Sequence, residues 1–355
     1  MGKQIVGLKL GASRLTAARL EVNGSVELLQ LAESPLPQGV IAGGEVRDIP
    51  ALADALKEFF KRHKLPKRNV RIGVANNRIG VRTIEVAGIE DPKQLANAVR
   101  FRAQEALPIP IDEAVLDFQV LSENANADGQ LVRRVLLVVA YRDLIAAYTE
   151  ACRLAGVRLA GIDLEAFALL RALTPAGPAP ELAADRSALV AVSVGSERSV
   201  LAVSDGLSCE FTRILDWGGN SLTVAVGRAL ELELEEAERL KIELALQGDA
   251  VPEGLAPERA VQAREALVSA LQAFGRELVS SLQFYQGQPD SLGIREIVLA
   301  GGTARLAGLA SELQRLVGVP VRVGDPLVGV AVGKKLRGDA PSPSHAVPIG
   351  LGMAL

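Results

Sequence analysis

The chain uses one structural phrase twice, and that repetition limits its fold more than any other feature. Ile5, Gly7 and Lys9 alternate with Val6, Leu8 and Leu10, the run breaks at Gly11-Ala12-Ser13, and apolar residues resume at Leu15, Ala17, Ala18, Leu20 and Val22. Asn23-Gly24 suits a tight turn because both positions tolerate positive φ, and Val26, Leu28, Leu29 and Leu31 supply a third strand. Ala188 to Val194 repeats the first run, Gly195-Ser196 interrupts it, Val200, Ala202 and Val203 continue it, Asp205-Gly206 turns it, and Leu207 to Leu215 runs back. Gly195 follows Gly11 at nearly the offset by which Gly206 follows Gly24, so one β-hairpin unit occurs twice.

Two units this far apart imply two similar lobes facing each other, not a solenoid, whose repeats recur every 20–50 residues or so. A strand-turn-strand with glycine at its apex exposes backbone N–H groups with no side chain in the way, so it can approach a phosphate closely. Gly11, Ala12 and Ser13 at one tip, and Gly195 and Ser196 at the other, are therefore candidate phosphate contacts. A lone glycine hairpin is an ordinary turn; the duplication favours binding. Paired tips aimed into one cleft are how the actin, Hsp70 and sugar kinase superfamily holds the phosphates of ATP.

With 355 residues, 49% hydrophobic and 23% charged, the chain is long enough for two domains with real cores. A net charge of -3 gives no general pull toward nucleic acid or anionic membrane. No run reaches the roughly 18 apolar residues that span a bilayer, and Met1 to Gln4 leads into a strand instead of a signal peptide, so the expected location is the cytoplasm. Cys152 and Cys209 sit in apolar stretches and read as small buried hydrophobes. His63 closes a helix within the basic cluster Lys61, Arg62 and Lys64, and His345 lies in a Pro/Ser-rich stretch. This inventory builds neither a zinc site nor a nucleophile-histidine pair.

Along the chain, Ala51 to His63 has helical spacing, and 70–75 and 79–86 are strand-like. Asp91-Pro92 opens a helix with Leu95, Ala98, Val99, Arg102 and Ala106 along one side, closed by Pro108 and Pro110. Two strands, a helix and a further strand at 157–162 complete a small αβ unit inserted into the first lobe. A hinge-like linker occupies 174–180. Beyond Trp217-Gly218-Gly219-Asn220 come a helix, an acidic helix whose Glu231, Glu233, Glu235, Glu236 and Glu238 read as a solvated face, and a long helix from Pro257 to Tyr285. A strand, Gly301-Gly302-Thr303 and a helix follow, which puts backbone donors at a helix N-terminus where an anion can bind; close packing is the other reading of that glycine pair.

These pieces, in this order and over nearly the full length, resemble the PilM family of type IV pilus assembly proteins, actin-like relatives of the cell-division protein FtsA. The resemblance is carried by Leu36-Pro37-Gln38-Gly39-Val40 with Gly44-Glu45-Val46, by the segment from Leu107 to Glu113 with Leu116-Asp117, and by Leu154 to Val157 with Leu170 to Leu173. Trp217 to Thr223, Glu236 to Lys241 and Gly301 to Leu309 complete it. It implies an α/β, actin-like (ribonuclease H-like) duplicated two-lobe fold with an inserted small αβ (SHS2-like) domain. The expected division is 1–87 for the first part of lobe one, 88–162 for the insert, 163–180 for a helix and linker, and 181–355 for lobe two with a C-terminal helix returning to lobe one.

The resemblance also implies ATP or ADP as ligand. Its adenosine contacts fall on Glu238, Lys241, Gly301 and Gly302, with Thr303, Gly218 and Gly219 as further cofactor-site candidates in the same motifs; Glu238 and Lys241 at i,i+3 equally suit a plain helix ion pair. The family's DIGxxxxK here has Lys9 for the Asp and Thr16 for the Lys, and its second DIG reads Ser193-Val194-Gly195. Without those carboxylates Mg²⁺ is not expected, catalytic residues are not assigned, and hydrolysis by the family mechanism is not expected. Lys9 either meets a phosphate directly, or faces solvent or salt-bridges to an acid in a degenerate pocket. The implied role is a scaffold at the inner face of the cytoplasmic membrane. It binds the N-terminal peptide of a PilN-like inner-membrane protein through Val99, Arg102 and Ala103 of helix 94–106, for each of which core packing is the other reading, alongside other pilus platform proteins and with self-association open. The alternative is an active ATPase or kinase of the same superfamily, with Asp216 or Glu197 as replacement carboxylate.

Overall fold

Both glycine-broken ribbons form, and the same sheet grows on each. A computed structural model describes residues 2–89, 91–106, 110–126, 129–174, 187–248, 251–289, 291–338 and 340–354. The linker at 175–180 and the Pro108 helix stop lie outside them. In the first lobe β1 (Lys3–Leu10), β2 (Arg14–Asn23) and β3 (Ser25–Pro35) form an antiparallel meander in which Lys9 pairs with Thr16. Gly24 alone takes positive φ at the first turn, while Asn23 stays in the ladder opposite Ser25. A short hairpin of β4 (Ile41–Ala42) and β5 (Glu45–Val46) leads to α1 (Ile49–His63), capped by the Asp48 side chain, which accepts the Ala51 N–H at 2.9 Å.

β6 (Val70–Val74) runs parallel to β1. Next come β7 (Ile79–Ala87), α2 (Pro92–Ala106), β8 (Ala114–Ala125) and β9 (Leu131–Tyr141), then α3 (Arg142–Leu154), β10 (Leu159–Leu164) and α4 (Glu165–Leu173). The second lobe holds β11 (Ser187–Val194), β12 (Ser199–Ser204), β13 (Cys209–Leu215), α5 (Gly219–Leu230), α6 (Leu234–Glu243), α7 (Pro257–Gln286), β14 (Gly293–Ala300), α8 (Leu309–Val317) and β15 (Val321–Val323). The chain then crosses back as β16 (Val330–Arg337) and α9 (Ala346–Met353).

The strand order β3-β2-β1-β6-β10 in the first sheet matches β13-β12-β11-β14-β15 in the second, with β16 added beside β3. The duplication seen in two hairpins therefore extends to whole sheets. Two strands sit differently from expectation. The strand at 79–86, read with the first lobe, pairs with β9 in the separate sheet β7-β9-β8, and the strand at 157–162, read with the insert, is β10 beside β6 in the first-lobe sheet. α3 goes with β10, since Leu144, Tyr148, Ala151 and Cys152 share a core with Leu52, Leu56, Phe59 and Phe60 of α1. Alternation marks a strand without saying which strand it joins. Gly302–Arg305 forms a 3-10 turn, so the helix expected directly after the glycine pair begins only at Leu309.

α9 returns to the first lobe. It packs between β1 and α4 by direct backbone approach: a Cβ on Gly7 would lie 2.0 Å from the Pro348 carbonyl oxygen, and one on Gly350 would lie 1.8 Å from the Ala168 carbonyl oxygen. Ala346, Val347 and Leu351 share a core with Ala168 and Leu169 of α4 and with Ala191, Val200 and Ala300 of the second sheet. No described helix is long and apolar enough to cross a membrane. Helix propensity alone would make Gly350→Ala stabilising by roughly 1 kcal/mol. The contact with Ala168 reverses that sign, and urea unfolding is expected to show a loss of about 1–3 kcal/mol or more. Gly293→Ala, whose Cβ would meet nothing within 4 Å, is expected to leave the midpoint unchanged.

Candidate functional site

The two hairpin tips close in the same way. The Gly11 N–H donates to the Arg14 carbonyl at 3.0 Å, and the Gly195 N–H donates to the Arg198 carbonyl at 2.9 Å. Both tips line one cavity of about 390 Å³ between the lobes. Of the residues singled out in the sequence, Lys9, Gly11, Ala12, Ser13, Gly195, Ser196, Gly219, Glu238, Lys241, Gly301, Gly302 and Thr303 share that lining. Gly218 does not; its missing side chain makes room for the second tip, since a Cβ there would lie 2.5 Å from the Ser196 carbonyl oxygen.

On the α5–α6 side, Lys241 is buried and donates from Nζ to Glu238 Oε2 at 2.5 Å, to Thr223 Oγ1 at 3.0 Å and to the Gly219 carbonyl at 3.3 Å. Thr223 in turn donates to Glu238. The pair is thus a tie between two helices. Gly301 takes φ +87, and a Cβ there would lie 2.3 Å from the Val194 carbonyl oxygen, so packing explains this glycine. At Gly302 a Cβ would meet nothing within 4 Å, and its backbone lies open to the cavity.

Each carboxylate lining the cavity already has a partner. Lys9 Nζ lies 3.0 Å from Glu165 Oε2, with side chains 16% and 8% exposed, so the Lys9 ammonium spends its charge on the first residue of α4. Glu33 accepts from Arg14 Nη1 at 2.6 Å and from Ser344 Oγ at 3.0 Å, and lies 3.2 Å from His345 Nε2. Glu197 accepts the Gly43 N–H at 3.0 Å, which binds the second tip to the β4–β5 hairpin. Glu238 is held as described. Asp216 pairs with Arg198 at 2.9 Å and accepts from Asn77 at 3.2 Å, so neither replacement carboxylate points free into the cavity.

The groups left over are cationic or neutral donors. Arg198 Nη1 is buried without a hydrogen-bond partner, and Arg305 is exposed at the rim without an ion-pair partner among the described residues. Ser193, where the second family Asp would stand, is not part of that lining and buries its hydroxyl with no partner among the described residues. This donor set does not fit a divalent cation, which needs anionic oxygens that are free to bind it. It fits an anion. Burial pushes the Cys152 and Cys209 thiols up to about 12, as suits inert core residues.

Sequence reasoning missed Glu165, Glu33 and His345. Glu165 is the one acid of a largely apolar helix and stands at its head, and that was its signal. His345 is buried, and its Nδ1 accepts the Ser342 N–H at 3.2 Å, a contact across a turn that residue type alone does not announce. The α2 reading changes more. Val99 and Ala103 are fully buried against Val135, Leu137 and Val139 of the small sheet, so neither can meet a partner. Arg102 is exposed and pairs with Glu105 at 3.2 Å, and the neighbouring Phe101 is 63% exposed. Helical period located a face of α2 correctly, but that face belongs to the core.

A family model described as Type IV pilus assembly protein PilM matches residues 7–355. The solved structure titled PilM-PilN type IV pilus biogenesis complex superposes with a TM-score of 0.81 at 28% identity, covering 99% of this chain and 98% of that one. The cell division protein FtsA of Pseudomonas aeruginosa is 24% identical over 355 residues, 92% of this chain and 84% of that protein. MreB5 of Spiroplasma citri bound to AMPPNP, at TM-score 0.57 and 13% identity over 98% of this chain and 94% of that one, shares the fold. The two-lobe fold is actin-like.

The Glu33 network sets an acid limit on stability. The His345 ring 3.2 Å away, then Arg14 and Ser344, outweigh burial and lower the Glu33 pKa from 4.5 to about 2. A carboxylate depressed on folding contributes stability that is complete above its unfolded pKa and is lost as pH falls through the folded one. Urea midpoints of the unmodified chain should therefore fall between pH 4.5 and 2 more steeply than those of Glu33→Gln. Parallel slopes for the two would show that the network stores no such contribution.

Proposed function

The chain belongs to the type IV pilus assembly protein PilM family, and on that premise we propose that it is an actin-like scaffold at the cytoplasmic face of the pilus machine, held there by the N-terminal peptide of a PilN-like inner-membrane protein. The observation that carries this reading is the extent of the family match, which takes in both lobes, the small sheet and the C-terminal helix. The peptide lies along α2, where Arg102 and Phe101 offer a cation beside an apolar side chain over a core-supported helix. Such peptides draw affinity from main-chain bonds and a few apolar contacts. A peptide copying the PilN N-terminus should bind the full chain in fluorescence anisotropy. Arg102→Glu and Phe101→Ser should each weaken it by about tenfold, 1.4 kcal/mol, with melting unchanged. Failure of the peptide to bind, while an unrelated partner does, overturns the proposal.

The cavity is part of the same reading. Nucleotide binds there weakly and as a structural ligand, with the phosphates at the two glycine tips and Arg198 and the base side bounded by Glu238, Lys241 and Gly302. Magnesium takes no part, because Lys9 holds Glu165 and Ser193 offers no charge. Calorimetry with ATP should give the same weak affinity in magnesium and in chelator. Lys9→Asp, which sets two carboxylates side by side, should acquire a magnesium-dependent gain of at least about tenfold. Tight magnesium-dependent binding, or turnover, by the unmodified chain would revive the ATPase reading.

A further inference from the structure

From Lys61 to Arg71 the chain carries six cations and no acid, a run that neither the cavity nor α2 uses. Folding gathers most of it on one end of the first lobe. Lys61 and Arg62 are exposed in the last turn of α1, Lys64 and Arg68 are exposed in the loop to β6, and Lys67 is half-buried there. The loop before β10 adds Arg158, also exposed. Its N–H donates to the Lys67 carbonyl at 2.7 Å, and its own carbonyl accepts the Val70 N–H at 3.2 Å. Lys67 Nζ donates to the Ala155 carbonyl at 2.9 Å, which ties the two loops together. A chain of net charge -3 thus concentrates positive charge on one surface.

Local structure accounts for part of this. Lys61 and Arg62 complement the α1 dipole, an effect that fades beyond the last turn. His63 turns inward, with Nε2 2.9 Å from Ser34 Oγ. Lys64, Arg68 and Arg158 lie outside the helices, and like Lys61 and Arg62 they have no ion-pair partner among the described residues. Acids on the neighbouring helices are engaged elsewhere: Asp54 with Lys57 at 2.8 Å and Glu150 with Arg153 at 2.7 Å. Glu58, exposed one turn back on α1, faces the same solvent. Like charges gathered in this way repel one another, a cost that the fold itself does not explain.

The chemistry of the surface selects its partner. Phe59 and Phe60, the aromatic residues beside the run, are buried, so the patch offers no ring on which a nucleic-acid base could stack. It offers cations on long flexible stems, and Leu154, 40% exposed, stands next to the loop that Lys67 holds. An anionic leaflet asks for charge density without fixed spacing, and an apolar side chain beside the charge suits its headgroup layer. We propose that this end of the first lobe rests directly on the anionic headgroups of a phospholipid leaflet. The inference rests on the scaffold reading above, in which a tethering peptide has already brought the chain to the membrane. One weak membrane signal gives marginal binding, and a second held at high effective concentration makes it firm. The patch and the peptide face share no residue: α3, with 13 residues and a length of about 20 Å, runs from the end of β9 to the patch.

Co-sedimentation of the full chain with vesicles of equal parts phosphatidylglycerol and phosphatidylcholine tests this at low ionic strength, where surface charges are least screened. The unmodified chain should pellet with these vesicles, stay in solution with phosphatidylcholine alone, and be released by salt. Each cation near an anionic leaflet raises binding about fivefold. Lys64→Glu with Arg68→Glu, and separately Lys61→Gln with Arg62→Gln, should therefore each lower the bound fraction by at least about tenfold. All four side chains are exposed, so melting should not change. The same variants should leave peptide anisotropy unchanged, and Arg102→Glu should leave vesicle binding unchanged, so the two readings fail separately. Failure to pellet with the anionic vesicles while the peptide still binds, pelleting indifferent to both patch variants, or displacement from the vesicles by duplex DNA at matched phosphate concentration would each overturn the proposal.

Discussion

The fold depends on one place where main chain meets main chain. α9 lies against β1 and α4 with Gly7 under the Pro348 carbonyl and Gly350 against the Ala168 carbonyl. Side chains can change rotamer to absorb a misfit; a backbone contact cannot, and close-packed interiors pass such strain on. The separation of α4 and α9 therefore sets how far apart the two sheets stand, because Val347 and Leu351 share their core with strands of the second lobe. Arg171, which donates from Nε to the Gly350 carbonyl at 3.0 Å, fixes the same crossing from the polar side. The width of the cavity at the hairpin tips follows from that crossing.

On this frame, charges that could have served a metal hold the walls instead. Lys9 and Glu165 join β1 to α4. Glu33 joins β3 to the turn that precedes α9, and the Pro343 carbonyl in that turn accepts the Gly301 N–H at 3.0 Å. The C-terminal segment thus touches the first lobe and the glycine turn of the second within a few residues. Removing one member of a half-buried pair leaves the other charge desolvated without compensation. These acids are consequently bound into the structure. What the cavity still presents to a visitor is backbone N–H, hydroxyl and guanidinium.

Local pattern revealed the parts that local pattern determines. The two ribbons, their glycine tips and the duplication were legible because alternation and a glycine break are properties of contiguous residues, and most of the residues picked at the tips and at the glycine turn do line one cavity. Partner identity was not legible. Nothing within 79–86 states that it pairs with β9, and nothing within 157–162 states that it pairs with β6; the intervening chain decides both. β16, unread in the sequence, has its register shifted between Val332 and Arg337, which blurs the alternation that would have marked it. Val99 and Ala103 failed as contact residues for a related reason: small residues at helical spacing describe a close approach without naming the neighbour, and here it is the small sheet.

The front of the cleft is built on weaker terms than the back. Polar contacts that cross it among the described residues include Gly43 N–H to Glu197, Asn77 to Asp216 at 3.2 Å, and Arg134 to Glu210 at 2.6 Å, the last joining the small sheet to β13. An ion pair near the surface contributes about 0–1 kcal/mol and a single hydrogen bond about 0.5–1.5 kcal/mol, so the front yields more readily than the α4–α9 crossing. A ligand that spans the two glycine tips would add its contacts to the yielding side only, and would shift the closed form in proportion to its preference for that form. Because Arg134 lies on β9, whose Val135, Leu137 and Val139 underlie α2, the position of the α2 face is linked to the second lobe through the small sheet.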